Sequence, residues 1–410
     1  MIETYERWQK ETVLHRLNNF RVTHVKGPRQ CGKTTLVSKL GLPDMVYLTL
    51  DDRQSQQSAQ DDPVSFLSFY EGKTVAIDEI QKATDLISVI KMMVDKNNAP
   101  GQFLLTGSAE VLSQPSTVDS LAGRVAPVRL RTLAVGEILK ARPLFFEMLQ
   151  SKSWPTNFIY HDKKEIFDLA LAGGYPEVQG KNSVDRMIWH TDYRDVLIER
   201  DLRNIKNIRR MDRLKKLITA LSAWSGKYLN KDYIASALQI SNPTLDTYLY
   251  VLSALYLFDE IPAWSDTDYK RVGKQSKIYC TDTGFMSSML NYEPDKIMDD
   301  SDKSGKLIET FVYNQIAAIA DLHRHWEIFH YRDARQREID LLVKTPERVF
   351  GIEVKTGRTV KSDDAKHLKW FKDNMKLDAP FFGAVLYSGN TVSPLGDDIY
   401  AVPASALWSA

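Results

Sequence analysis

Cysteine is scarce: the 410-residue chain has two, Cys31 and Cys280. They are too few and too far apart for a disulfide framework or a thiolate metal site. A dominant charge is missing as well, since 54 Lys and Arg stand against 53 Asp and Glu, a net charge of +1. Any attraction to an anionic partner must therefore come from local patches. No apolar run approaches the length of a membrane span. The opening residues, MIETYERWQKETVLHRL, are charged and amphipathic, without the apolar stretch of a secretory signal. These absences lead us to expect a cytoplasmic protein with no membrane partner. What the chain does have is length, enough for two to four domains with a core in each.

The run HVKGPRQCGKTTL at 24–36 matches the phosphate-binding pattern G-x-x-x-x-G-K-[ST] at Gly27, Gly32, Lys33 and Thr34. Glycines let the backbone curl so that its N–H groups face phosphates. Lys33 supplies a point charge for the β- and γ-phosphates, and the Thr34 hydroxyl is placed to ligate Mg²⁺. FRVTHV before the loop reads as a short buried strand, and KTTLVSKL after it reads as a helix ended by Gly41. KTVAIDEIQ supplies the acid-ended strand that such a site needs: Asp78 would hold the metal and Glu79 would polarise the attacking water. FLLTG runs into Thr106, Gly107 and Ser108, and Ser108 is the expected γ-phosphate sensor. Arg124, in LAGRV, could act as an arginine finger on a neighbouring subunit's nucleotide, which would make the protein a homo-oligomer.

Residues 1–135 alternate strand and helix patterns, as an α/β nucleotide-binding core does. Residues 136–205 read as helical, with a turn at GGYPEV. From 206 to 292 three helical segments are followed by two strand-like stretches, the order of a winged helix, with Asn242 as the N-cap and Pro243 in the first turn of the third helix. That helix carries little positive charge. The basic residues lie in the expected wing, at Lys270, Arg271, Lys274 and Lys277, where they would contact DNA phosphates without reading sequence.

A third constellation occupies 293–410. Glu309 lies in a helical segment, Asp340 in the strand-like REIDLLV, and Glu353 and Lys355 on one face of GIEVKTG. Asp340 and Glu353 would ligate Mg²⁺ and Glu309 would complete the site. Lys355 would then activate the hydroxide that attacks a phosphodiester.

Taken in order, GPRQCGKTT, AIDEIQK, LLTGSAEVL, LAGRV, GGYPEV, SKIYCTDTG, GKLIETFVYN, REIDLLV and GIEVKTG resemble the bacterial and archaeal AAA-type ATPases that carry a winged helix and a C-terminal PD-(D/E)xK nuclease-like domain of unknown function. The resemblance spans nearly the whole chain. It implies an α/β architecture with an AAA-type P-loop sheet at 1–135, a helical lid at 136–205, a winged helix at 206–292 and a restriction-endonuclease-like domain at 293–410. It further implies ATP and Mg²⁺ at Gly27, Pro28, Arg29, Gln30, Cys31, Gly32, Lys33, Thr34 and Thr35 with Asp78 and Glu79. The nuclease-type groups fall on Glu309, Asp340, Glu353 and Lys355. Two activities follow from it: ATP-driven DNA processing that ends in cleavage, or an ATP-gated DNA-binding switch that keeps the nuclease fold without cutting.

Overall fold

The computed structural model describes residues 4–107, 121–155, 159–199, 211–265 and 273–408. They form two compact units, Met1–Thr132 with Ala254–Tyr256, and Leu133–Ser253 with Leu257–Ala410.

The first unit is built on five parallel strands: β1 (Val22–Lys26), β2 (Met45–Thr49), β3 (Thr74–Asp78), β4 (Phe103–Gly107) and β5 (Val125–Arg129). A parallel sheet needs crossover helices on its faces, so its central strands read as continuous apolar runs. Phe103, Leu104 and Leu105 are accordingly buried. Alternate residues serve opposite faces. Val75, Ile77 and Leu105 pack with the helix Leu86–Lys96, whereas Val25, Ala76, Leu104 and Val128 pack with the helices Gln9–Asn19 and Lys33–Ser38. The strand order is β2-β3-β4-β1-β5. Because β4 is inserted between β1 and β3, its C-terminal end emerges between the loop after β1 and the acids at the end of β3. In open α/β sheets ligands bind at such strand ends.

The second unit contains the helices Lys163–Ala172 and Ser183–Leu197, joined through Gly173 and Gly174. A Cβ on Gly174 would lie 2.2 Å from the Leu133 carbonyl oxygen, and one on Gly173 2.4 Å from Asp282 Oδ1. Close approach thus explains this glycine pair. Three helices follow, Met211–Ala223, Lys231–Leu238 and Asn242–Ala254, with a small antiparallel sheet of β6 (Lys227–Tyr228), β7 (Phe258–Ile261) and β8 (Lys277–Cys280) in the order β6-β8-β7. The third helix begins one residue earlier than its sequence suggests. Ser241 Oγ accepts the Thr244 N–H at 3.3 Å, while the Asn242 side chain donates to Asp232 at 2.7 Å.

The long helix Ser301–Ala320 then leads into β9 (Glu327–Arg332), β10 (Glu338–Lys344), β11 (Val349–Val354), β12 (Phe381–Tyr387), β13 (Ser393–Gly396) and β14 (Ile399–Pro403). The sheet order is β13-β14-β12-β11-β10-β9. The β9-β10-β11 part is antiparallel, and β12 joins β11 in parallel after the helix Lys366–Asn374. Among the described residues, no helix is long and apolar enough to cross a membrane.

Candidate functional site

The loop between β1 and the helix Lys33–Ser38 brings the expected nucleotide residues together. Gly27 has no alternative there, since a Cβ would stand 2.0 Å from the Leu130 carbonyl oxygen. Gly32 has φ +100°, a left-handed conformation that only glycine adopts cheaply. Arg7, which sequence reading missed, is buried and donates to Cys31 O and Arg131 O, both at 2.7 Å. It ties the loop to the segment after β5. No local motif marks it. The buried Cys31 thiol lies 3.5 Å from Leu130 O.

Lys33 is buried and its ammonium donates to the carbonyls of Gly27 at 3.0 Å and Pro28 at 2.8 Å. Thr34 donates to Asp78 Oδ2 at 2.9 Å. Tyr47, also missed, donates to the same oxygen at 2.9 Å, and Thr106 donates to Asp78 Oδ1. Glu79 takes a left-handed backbone (φ 58°), a conformation that costs roughly 1–3 kcal/mol in a non-glycine residue and clusters at functional sites. Its N–H donates to Thr106 Oγ1 at 3.3 Å and its carboxylate accepts from the Gln81 amide. Hard oxygens at Thr34 and Asp78, a buried ammonium and a glycine-lined loop form a donor set that fits Mg²⁺ with a nucleoside triphosphate. Ser108 lies outside the described residues. Arg124 bonds Asp95 of its own unit, with Nη2 2.9 Å from Oδ2.

The C-terminal acids also meet, but around a different cation. The β10/β11 register pairs Leu341 with Ile352, and one step further it sets Asp340 opposite Glu353. Asp340 Oδ2 accepts the Val354 N–H at 2.9 Å. Glu309 arrives from the long helix and accepts from the Tyr279 hydroxyl at 2.6 Å. Lys277, on β8, is 1% exposed, and its ammonium lies 2.9 Å from Glu338, 3.1 Å from Glu309 and 3.8 Å from Asp340. Lys355 stands 3.6 Å from Glu353.

Burial pushes the Glu309 carboxyl up to about 7 against the pull of Lys277. Burial, with Asp340 opposite, pushes Glu353 well up. Burial alone would lower Lys277, but Tyr279, Glu309, Asp340 and Glu338 around it hold the ammonium well above its ordinary range. Among the described residues, no group of three or more His, Cys, Asp or Glu side chains is placed to hold a metal ion. Asp340 and Glu353, expected to hold Mg²⁺, each face an ammonium: that of Lys277 lies 3.8 Å from Asp340 and that of Lys355 lies 3.6 Å from Glu353. Glu338 was legible, two residues before Asp340 on the same strand face. The Lys277 ammonium was not, since it comes from a strand remote in sequence.

Lys277 needs a second correction. Its sequence neighbourhood suggests an exposed wing, yet a residue this buried cannot meet a phosphate. Lys274 is exposed, with its ammonium 3.2 Å from Trp264 O. Lys270 and Arg271 lie outside the described residues.

Residues 19–139, which include the loop at 27–35 and the acids Asp78 and Glu79, match the AAA domain model. Residues 163–296 and 304–407 match two domains of unknown function, DUF8612 and DUF4143. Uncharacterized proteins of Mycobacterium tuberculosis and Mycobacterium bovis are each 27% identical over 394 residues, 95% of this chain and 82% of theirs. Among solved structures, AMPPCP-bound DnaA from Aquifex aeolicus is 13% identical, covering 60% of this chain and 85% of its own, with a TM-score of 0.29. The Aeropyrum pernix ORC1 protein in complex with DNA is 13% identical over 71% of this chain and 94% of its own, with a TM-score of 0.26.

Proposed function

We propose that the protein is a Mg²⁺-dependent ATPase that works as a homo-oligomeric, ATP-gated switch on DNA. The observation that carries this reading is the joint engagement of Thr34, Tyr47 and Thr106 on Asp78, beside a loop that holds Lys33 at its mouth. Thr34 and Asp78 would hold Mg²⁺, which would supply charge neutralisation for the triphosphate. The chain's own groups do the rest. Lys33 exchanges the Gly27 and Pro28 carbonyls for phosphate oxygens, and the loop N–H groups take the remaining anionic oxygens. Glu79 orients the attacking water once its carboxylate is released from Gln81. Arg124 would leave Asp95 for the nucleotide of a neighbouring copy. DNA as the partner is supported by the order of three helices and three short strands in 211–280 and by the basic stretch at 270–274. The C-terminal acids stay outside this reading, because Lys277 sits among Glu309, Glu338 and Asp340, and Lys355 beside Glu353.

Nucleotide binding and turnover, measured separately, test the reading. Lys33→Ala is expected to lose binding. Glu79→Gln should bind ATP as well as the wild type while turnover nearly stops, because phosphate contacts remain and the water-orienting group does not. Equal hydrolysis by wild type and Glu79→Gln would falsify the assignment of Glu79.

A further inference from the structure

We propose that Lys277 is the resident cation of the C-terminal acid cluster, held beside Asp340, one of the two acids to which the nuclease resemblance would bring a divalent metal, and that the cluster is a closed ion-pair joint with no cutting activity. The ammonium reaches Glu338 at 2.9 Å and Glu309 at 3.1 Å, with Asp340 at 3.8 Å. It lies 5.6 Å from the centre of the Tyr228 ring, so an aromatic face contributes to its surroundings. An ammonium offers three donors and no acceptor, and carboxylates from three positions answer that need.

The acids need the ammonium as much as it needs them. Carboxylates directly opposite on neighbouring strands repel one another, and burial multiplies the cost unless a cation is fixed among them. Mg²⁺ would need oxygens at about 2.0–2.1 Å in near-octahedral array. A fixed positive charge 3.8 Å from Asp340 opposes that array by repulsion, and its 3.1 Å bond to Glu309 takes a lone pair from the third acid of the set. The place of Lys277 is also secured from both sides. Ser225 next to β6 bonds Thr310 of the long helix at 2.7 Å. A Cβ on Gly226 would come within 3.2 Å of Glu309 Oε1, so the backbone closes directly over that carboxylate. The pair therefore joins the β6-β8-β7 module to the long helix and to β10.

Mn²⁺ titration of the full chain without nucleotide, followed by the electron paramagnetic resonance of the free ion, tests this. Wild type and Asp340→Asn are expected to bind Mn²⁺ alike, and wild type should cut no linear, nicked, single-stranded or branched DNA. Lys277→Met, which keeps most of the stem and removes the charge, should gain one Mn²⁺ at least tenfold tighter than anything the wild type binds there. That gain should vanish in Lys277→Met with Asp340→Asn, and Mn²⁺ should raise the Tm of Lys277→Met alone. A wild-type Mn²⁺ site or a DNA-cutting activity that disappears in Asp340→Asn would overturn the proposal, as would a folded Lys277→Met with no added site. If Lys277→Met does not fold, the wild-type titration and cutting assay decide. ATPase activity is scored separately, so either site can fail without the other.

Discussion

Asp78 accepts three hydroxyl hydrogen bonds, and the three donors differ in how far a sequence can reveal them. Thr34 is fixed to the loop by a pattern of eight adjacent residues, so its role follows from local spacing alone. Thr106 stands at the end of an apolar strand, and it becomes meaningful only once β4 is known to neighbour β3. Tyr47 sits on β2, where its register partner is Ala76 and not the acid it serves. No spacing rule links them. Hydrogen bonds to a charged acceptor are worth about 1.5–3 kcal/mol when buried, and Asp78 is 2% exposed. Tyr47→Phe should therefore destabilise the first unit by about 1–2 kcal/mol and loosen the metal-holding carboxylate. Calorimetry would show the fall in Tm, and ATPase assays should show a higher Mg²⁺ requirement. An unchanged Mg²⁺ requirement would leave Tyr47 a purely structural donor.

At the scale of elements, the alternation of strand and helix in the first unit was readable because a parallel sheet enforces it on the sequence. The three helical segments of 206–292 and the strands β7 and β8 were readable from helical periodicity and β-rich runs, with the start of one helix displaced by a residue. What misled was charge. DYKRVGKQSK looks like one basic patch, but β8 begins at Lys277 and is buried at every position, so a single stretch of sequence is divided between surface and interior. The boundary depends on acids contributed by Glu309 and Glu338, which no local window contains. This division shapes the DNA prediction. Neutralising Lys270, Arg271 and Lys274 together should weaken binding to all duplex sequences alike. It should also lower the slope of log affinity against log salt by about 0.9 for each phosphate left without its cationic partner. Fluorescence anisotropy over a salt series reads both. Binding that keeps its slope and its strength would make the module a spacer without a DNA surface.

On the scale of the whole molecule, near-neutral net charge hides buried titratable groups of opposite sense, and acid should act differently on the two units. His24 lies on β1, fully buried, and neither ring nitrogen has a hydrogen-bond partner among the described residues. Burial, then Lys26 and Lys33, lower its pKa from 6.5 to about 3. The folded first unit thus refuses a proton that the unfolded chain accepts near pH 6.5. The stability this contributes is fully present above pH 6.5 and is lost as pH falls toward 3. At pH 5 the loss is about 2 kcal/mol, from 1.4 kcal/mol per pH unit for one proton. In the second unit burial lowers His190 to about 3 and His330 to about 4, which acts in the same direction. Glu309, raised to about 7, opposes it: its folded form takes up a proton first, so its contribution grows as pH falls through 7, and the raised Glu353 acts in the same direction. The transition of the first unit should therefore fall more steeply between pH 7 and pH 5. His24→Leu keeps an apolar side chain in the site and removes two polar atoms that lack partners. It should flatten the pH dependence of the first transition, by about 2 kcal/mol at pH 5 relative to wild type, with the second transition unchanged. Differential scanning calorimetry of both proteins from pH 8 to pH 5 measures this directly, and equal slopes for the first transition would show that another group controls its acid sensitivity.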